Sequence, residues 1–386
     1  MTPTAAAATE ERLAAHRRRF DAAFEAYFAR LAATFDTPPH SRWTPQCLEL
    51  LRELSLRGGK RLRVVLLHEA ARLVTAEDEV PGLAEAALSV ELLQTHLLVH
   101  DDIIDDSPVR RGGPSTYYAY RAAFPGHDRT ALGLALLAGD LAAFLSLRVL
   151  LEADVPAALR QAMVETQTRA ATDTIAGQIL DLERDRDGLP DEELLHTVTE
   201  YKSARYSILA PLRLGLLAAG EDLAPHEARL RRYATLVGIC GQLRDDYLDL
   251  FGDDGALGKP PGGDLRAGRR TYALRAILAE AGEADRAVVE SALGDPHCTP
   301  ETVERVRDIA RRQGTDARLR ADLRGHAERA AAEAAGWGAW WREEAVALFT
   351  HLPLRVAKVS GRPRGTEGFR RLRGASGGPA DRGTGR

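Results

Sequence analysis

AEAALSVELLQTHLLVHDDIIDD, residues 84–106, is apolar along most of its length and then abruptly acidic. Its apolar residues recur at helical spacing without period-two alternation. This predicts a buried helix from Ala84 to His100 ending in the carboxylate cluster Asp101, Asp102, Asp105 and Asp106. The same pattern extends outward. Ala, Leu, Arg and Glu dominate, β-branched residues are sparse, and Leu13, Phe20, Phe24, Tyr27 and Leu31 keep a spacing of three and four or multiples of it. Pro and Gly gather at Thr37–Pro39, Pro81–Gly82, Pro108–Pro114, Asp187–Pro190 and Gly252–Gly268, which read as loops between long helices. The expected fold is all-α: one large helical bundle over residues 1–360, with no linker dividing it.

Composition narrows the function. Lys+Arg 52 against Asp+Glu 56 gives a net charge of −4, which excludes a generic basic nucleic-acid binder, and a 45% apolar share excludes a chain disordered overall. Cys47, Cys240 and Cys298 form no CxxC pair, so no disulfide framework or zinc knuckle is expected, and a reducing, cytoplasmic setting fits. The first 20 residues hold no apolar signal core. Ala131–Leu151 imitates a membrane span, but Asp140 and Arg148 lie within it, and a charge at mid-membrane is costly. The expectation is a bundle helix buried nearly all round, with no transmembrane segment. The last 26 residues, Gly361–Arg386, hold eight Gly and seven Arg. Such a tail cannot bury enough surface to offset chain entropy and is expected to be disordered.

The acidic cluster carries the chemistry. Four residues along a helix turn the chain by about 400°, so Asp101 and Asp105 share a face and Asp102 flanks them. Crowded carboxylates repel, and hard oxygen ligands suit Mg²⁺. One acidic helix end is weak, because solvated helix ends look the same. A second copy, Asp245-Asp246-Tyr247-Leu248-Asp249, follows 144 residues later on another apolar helix. Two such faces confronting each other across a bundle could hold several Mg²⁺ and, through them, a diphosphate. Cations accompany both: Gly58-Gly59-Lys60-Arg61-Leu62-Arg63 opens a helix, Arg110-Arg111 follows the first cluster, and Lys202, Ser203, Lys259 and Arg269-Arg270 lie farther on. Walker, dinucleotide, HExxH and GxSxG motifs are absent.

Taken together, GGKRLR (58–63), ELLQTHLLVHDDIIDDSPVRRGGPS (91–115), AGD (138–140), GQILD (177–181), YKSARY (201–206), GQLRDDYLDLFGD (241–253) and GKPPGGDLRAGRRT (258–271) resemble the trans-isoprenyl diphosphate synthases, or polyprenyl synthetases. The resemblance covers roughly residues 45 to 360. It implies an all-α bundle around a deep cavity, a homodimer, and about three Mg²⁺ per active site. It also implies Mg²⁺-dependent condensation of isopentenyl diphosphate with an allylic diphosphate. By position, Lys60, Arg63, Gln94 and Arg111 match the isopentenyl diphosphate site. Arg110, Lys202, Ser203, Gln242, Lys259 and Arg269 match contacts to the allylic diphosphate. Asp101, Asp105, Asp245 and Asp249 match metal ligands, with Asp102 and Asp246 supporting them, and Gly177, Gln178 and Asp181 lie on the cavity-lining helix. Ser203 stands where Thr is common and Arg269 where Lys is usual, so Arg270 is a second candidate for that role.

His96 and Leu97, one turn before Asp101, match the residues that floor the product cavity and set chain length. Two readings of His96 stand: a floor residue and a packed core histidine. The resemblance favours a C20 product, geranylgeranyl diphosphate, with C15 next and C25 or longer behind. Two other classes compete. A class I terpene cyclase should carry an Asn/Asp-Ser/Thr-Glu second motif, where this chain has a second DDxxD. A non-catalytic subunit of the same fold should have lost the acids and cations kept here.

Overall fold

Phe20, Phe24, Tyr27, Phe28 and Leu31 all point into one core from a single helix, which is why the N-terminal segment is held against the body of the protein. The structure is a computed structural model describing residues 3–186, 188–252 and 261–359. The Gly/Arg-rich stretch 361–386 and Lys259 lie outside the described residues. The described chain is all-α. Its leading helices are α1 (Pro3–Thr34), α2 (Trp43–Leu56), α3 (Leu62–Val74), α4 (Leu83–Ile104), α5 (Thr116–Ala123), α6 (Asp128–Leu151) and α7 (Ala157–Arg184). After α8 (Glu192–Val198), a π-helix spans Thr199–Leu209, and α9 (Ala210–Ala218) and α10 (Glu227–Phe251) follow. Shorter helices complete the chain, ending with Thr315–Ala335 and Glu343–Val356.

The expected apolar helix is α4. It packs against α3, α6, α7 and α9 and buries residues on all sides, including Leu92, Leu93 and Val99. Full burial of one such side chain contributes about 1.5–3 kcal/mol, which offsets the entropy of ordering it. Helix α10 ties two clusters together. Its first half joins Trp337 and Phe349 through Tyr233, and its second half packs on Leu265, Ile277 and Val306.

Three details depart from the sequence expectation. The loop at Pro108–Pro114 contains a two-residue antiparallel pair, Val109–Arg110 with Gly113–Pro114. Arg111 (φ 53°) and Gly112 (φ 76°) make its turn, both left-handed, as a tight hairpin requires. Second, α6 is not buried all round. One face packs on α4, but Leu137, Phe144 and Leu151 are 64%, 70% and 57% exposed. Among the described residues α6 is the one helix long and apolar enough to cross a membrane by length and composition. Third, the segment carrying Lys202 and Ser203 is a π-helix. A Cβ on Gly177 of α7 would lie 2.2 Å from the Lys202 backbone nitrogen, and one on Gly238 of α10 would lie 2.5 Å from the Ala204 Cβ. Two glycines thus let the wider π turn fit between two helices. π segments of this kind recur at functional sites.

Candidate active site

The first aspartate motif straddles the end of α4. Asp101 and Asp102 are helical, and Asp105 is the cap, with its backbone N–H donating to the Asp101 carbonyl at 2.9 Å. Asp102 is buried. Arg110 Nε donates to its Oδ1 at 2.7 Å, and the same guanidinium reaches Asp101 at 3.2 Å. Burial pushes the Asp102 carboxyl above the usual carboxylate range, and Arg110 offsets that only in part. Its Oδ2 is buried with no hydrogen-bond partner. An orphaned carboxylate oxygen in an oxygen-only cluster fits a hard cation such as Mg²⁺.

Lys202 projects from the π-helix between two acids, 2.6 Å from Asp181 of α7 and 3.7 Å from Asp101. Arg184, one turn beyond Asp181, pairs with it at 2.7 Å. Arg269 forms an ion pair with Asp105 and approaches Asp264 at 3.9 Å. Burial works against its charge, but Asp105, Asp264 and Asp101 more than compensate and raise its pKa.

Arg269 and Asp264 join the two motifs. On α10, Asp249 accepts the Asp264 backbone N–H at 2.9 Å. Asp246 accepts from Gln242 Nε2 at 2.7 Å and from the Tyr272 backbone N–H at 2.9 Å. Burial holds the Asp246 carboxyl well above the usual range, and the charge of Asp264 adds to this. Asp245 lies on the outer side, its side chain 70% exposed and 3.3 Å from Arg244. A small polar cavity of about 70 Å³ is lined by Asp181, Lys202, Gln242, Asp246, Asp264 and Arg269. Lys202 and Ser203 also line a larger, mostly apolar cavity of about 420 Å³ that runs along α4 and α7, past Asp101, Leu97, His96, Ile175 and Ile179. Gln178 lines it too. An anionic end and an apolar tunnel therefore meet at Lys202.

A second cationic group sits at the start of α3. Gly58 and Gly59 have φ of 64° and 151°, and Arg111 donates to the Gly58 carbonyl at 3.0 Å. Its guanidinium lies 3.6 Å from where a Gly59 Cβ would be. Arg63 donates to Tyr206 Oη at 2.9 Å and Ser207 Oγ at 2.8 Å, Lys60 is exposed, and Gln94 is buried with Oε1 unpartnered. Burial lowers the pKa of Arg111; Glu91 counteracts this, while Arg61, Arg63 and Arg110 push it further down. An anion bound there would relieve that repulsion.

A profile of the polyprenyl synthetase family matches residues 44–310, more than half of the chain. The chain belongs to the polyprenyl synthetase family. That makes it a prenyltransferase. It is similar to the geranylgeranyl diphosphate synthase of Sulfolobus acidocaldarius, with 32% identity over 276 residues, 70% of this chain and 79% of the relative. It is 29% identical to the farnesyl diphosphate synthase of Escherichia coli over 252 residues, 64% of this chain and 80% of that one. A crystal structure of geranylgeranyl pyrophosphate synthase from Corynebacterium glutamicum, complexed with isoprenyl diphosphate and magnesium, superposes with a TM-score of 0.80 at 25% identity. That match covers 89% of this chain and 98% of the other.

The polyprenyl synthetase site gathers most of the residues the sequence singles out. Asp245 and Arg270 are exceptions among the described residues: Asp245 faces outward beside Arg244, and Arg270 donates its backbone N–H to Asp185 Oδ1 at 2.9 Å and its guanidinium to the Asp185 carbonyl, while Arg269 alone takes Asp105. The sequence alone singles out no role for Asp264, Arg184 or Tyr206, and none of its own for Arg61. Arg61 is buried and left-handed (φ 46°), pairs with Glu91 at 2.6 Å and Asp21 at 2.8 Å, and stacks on Phe20 and Phe24. It anchors the loop that presents its neighbours.

Proposed function

We propose that this chain condenses isopentenyl diphosphate with an allylic diphosphate, head to tail (1'-4), to make a short all-trans prenyl diphosphate, chiefly the C20 product geranylgeranyl diphosphate. The carrying observation is that Asp101 of the first motif lines the apolar cavity, Asp246 of the second lines the small polar cavity that meets it at Lys202 and Ser203, and Arg269 and Asp264 join the two motifs. In this reading residues 1–360 form the catalytic unit and work in the cytoplasm. Asp101, Asp105, Asp245 and Asp249 would hold Mg²⁺, about three ions as the family resemblance implies. Asp102 and Asp246 are buried behind them and orient the others. Bound Mg²⁺ supplies positive charge against the departing pyrophosphate.

The chain's own groups do the rest. Lys202, Arg110, Arg269, Ser203, Gln242 and Lys259 hold the allylic diphosphate with its tail in the cavity. The C1–O bond breaks and its electron pair leaves with pyrophosphate; fixed cations stabilise that charge as it develops. Lys60, Arg63, Gln94 and Arg111 hold isopentenyl diphosphate so that its alkene meets the allylic C1, and the released pyrophosphate takes the proton lost from the new chain. His96 and Leu97 on the cavity wall limit its growth. His96 is smaller than an aromatic pair and larger than Ala, which supports C20. The bare face of α6, with Leu137, Phe144 and Leu151, supports a homodimer, because so much exposed apolar surface is a mark of association.

The test is turnover with Mg²⁺, isopentenyl diphosphate and each allylic starter in turn, followed by sizing of the hydrolysed prenols. Consumption of the allylic substrate without isopentenyl diphosphate would overturn the reading in favour of a cyclase.

A further inference from the structure

Three ligand-type side chains meet on the wall of the large cavity, beyond the aspartate cleft: His96 and His100 of α4, and Asp140 of α6. The histidines are four residues apart on one helix face, with ring centroids 4.6 Å apart. One ligand atom from each of the three residues lies within 4.8 Å of the others.

Their local bonding suits a metal ion. His96 Nδ1 lies 3.0 Å from the Gly139 carbonyl. A carbonyl can only accept, so Nδ1 carries the proton and Nε2 presents a bare lone pair. Histidines that bind metals are commonly oriented in this way, by a backbone carbonyl on the other ring nitrogen. Gly139 does further work. A Cβ there would lie 2.3 Å from the His100 ring, so only glycine lets that ring rest on α6 beside Asp140. His100 Nε2 is buried, 3.3 Å from Asp140 Oδ1, and yet makes no well-directed hydrogen bond. Two atoms bound to one tetrahedral ion at about 2.0–2.1 Å stand about 3.3 Å apart. The spacing therefore suits shared ligation better than a bond between the two side chains.

The donor set also selects the ion. Two imidazoles and one carboxylate suit Zn²⁺ or Co²⁺, whereas Mg²⁺ prefers the all-oxygen aspartate cleft. Three protein ligands leave a fourth position, which opens on the cavity that His96, His100 and Asp140 all line. We propose that His96, His100 and Asp140 form a second metal site, for one divalent transition-metal ion of the Zn²⁺/Co²⁺ class.

Cobalt titration of the full-length protein in a large excess of Mg²⁺ tests this. The expected result is one equivalent of Co²⁺ per chain with the strong visible absorption of a four-coordinate site, displaced by Zn²⁺. Asp140→Asn changes a half-exposed side chain and His96→Leu puts an apolar group on an apolar wall, so both variants should fold, as circular dichroism would verify. Each should weaken Co²⁺ binding at least tenfold, while Asp245→Asn should leave the band in place. No band under excess Mg²⁺, a band that survives in both site variants, or a band lost with Asp245→Asn would overturn the assignment.

Discussion

Replacing Gly177 by Ala should disable the enzyme without touching any charged group. The added Cβ would lie 2.2 Å from the Lys202 nitrogen, 2.6 Å from its Cα and 2.6 Å from the Tyr201 carbonyl carbon. These are backbone atoms, so no side-chain rotation relieves the clash. Ordinary contact begins near 3.4 Å, so the π-helix must retreat by roughly 1 Å. Lys202 and Ser203 ride on that segment, and Lys202 spans Asp181 and Asp101. A displacement of about 1 Å in a positioning group typically lowers turnover about 100-fold. Overpacking should also destabilise the fold by about 1–3 kcal/mol. Steady-state kinetics with both diphosphates, beside thermal unfolding, would measure the two effects. Gly325→Ala is the control: it lies in the Thr315–Ala335 helix with nothing near its added Cβ, and should stabilise that helix by up to about 1 kcal/mol with rates unchanged. Wild-type turnover in Gly177→Ala would show that the π-helix does not set the position of Lys202.

Asp101→Asn and Asp245→Asn should each lower turnover by about 100- to 1000-fold in a Mg²⁺-dependent condensation assay, the scale of losing a major electrostatic stabiliser. His96→Ala should shift the products toward longer chains; prenol sizing by chromatography reads this, and an unchanged distribution would return His96 to the role of core packing. His68 and His326 are held near a pKa of about 4, chiefly by burial, below the ordinary 6.5. The folded state therefore binds fewer protons there than the unfolded chain between about pH 4 and 6.5, and stability from this source falls as the pH drops through that window. Urea unfolding should show the wild type losing more stability from pH 6.5 to 4 than a His68→Gln/His326→Gln variant.

The sequence displays whatever is local. The apolar run into Asp101 is one helix, and its end marks the first acidic motif. The repeat at Asp245 and the glycines before Lys60 are equally visible, because helix period, turn chemistry and charge spacing all act within a few residues. What escapes it depends on which distant segments touch. Gly177 and Gly238 look like weak points in two helices until the Lys202 segment is packed between them. Asp264 is an ordinary loop acid until the end of α10 brings it against Asp249 and Arg269. His96 and Asp140 lie 44 residues apart, and only the register of α4 on α6 makes them neighbours. The bare face of α6 follows the same rule: composition shows that the helix is apolar all round, but not which side a neighbour covers.

Arg269 stands where the family resemblance leads one to expect a lysine, and the structure shows what its guanidinium does there. A guanidinium offers a fork of donors, and here one end takes Asp105 of the first motif while the other faces Asp264, whose backbone N–H is bonded to Asp249 of the second. A lysine ammonium is a single point charge without the planar fork, so it does not reproduce this two-ended arrangement. Arg269→Lys should therefore keep the charge and lose the bridge. Hydrogen bonds to charged groups are worth about 1.5–3 kcal/mol, so losing one end should lower kcat/KM for the allylic diphosphate about 10- to 100-fold. If the bridge is what matters, Asp264→Asn should have little further effect once Arg269 is Lys, and the double variant should resemble the single ones. Losses that simply multiply would mean that Arg269 acts on the substrate alone, and that the two motifs are held in register by the helices that carry them.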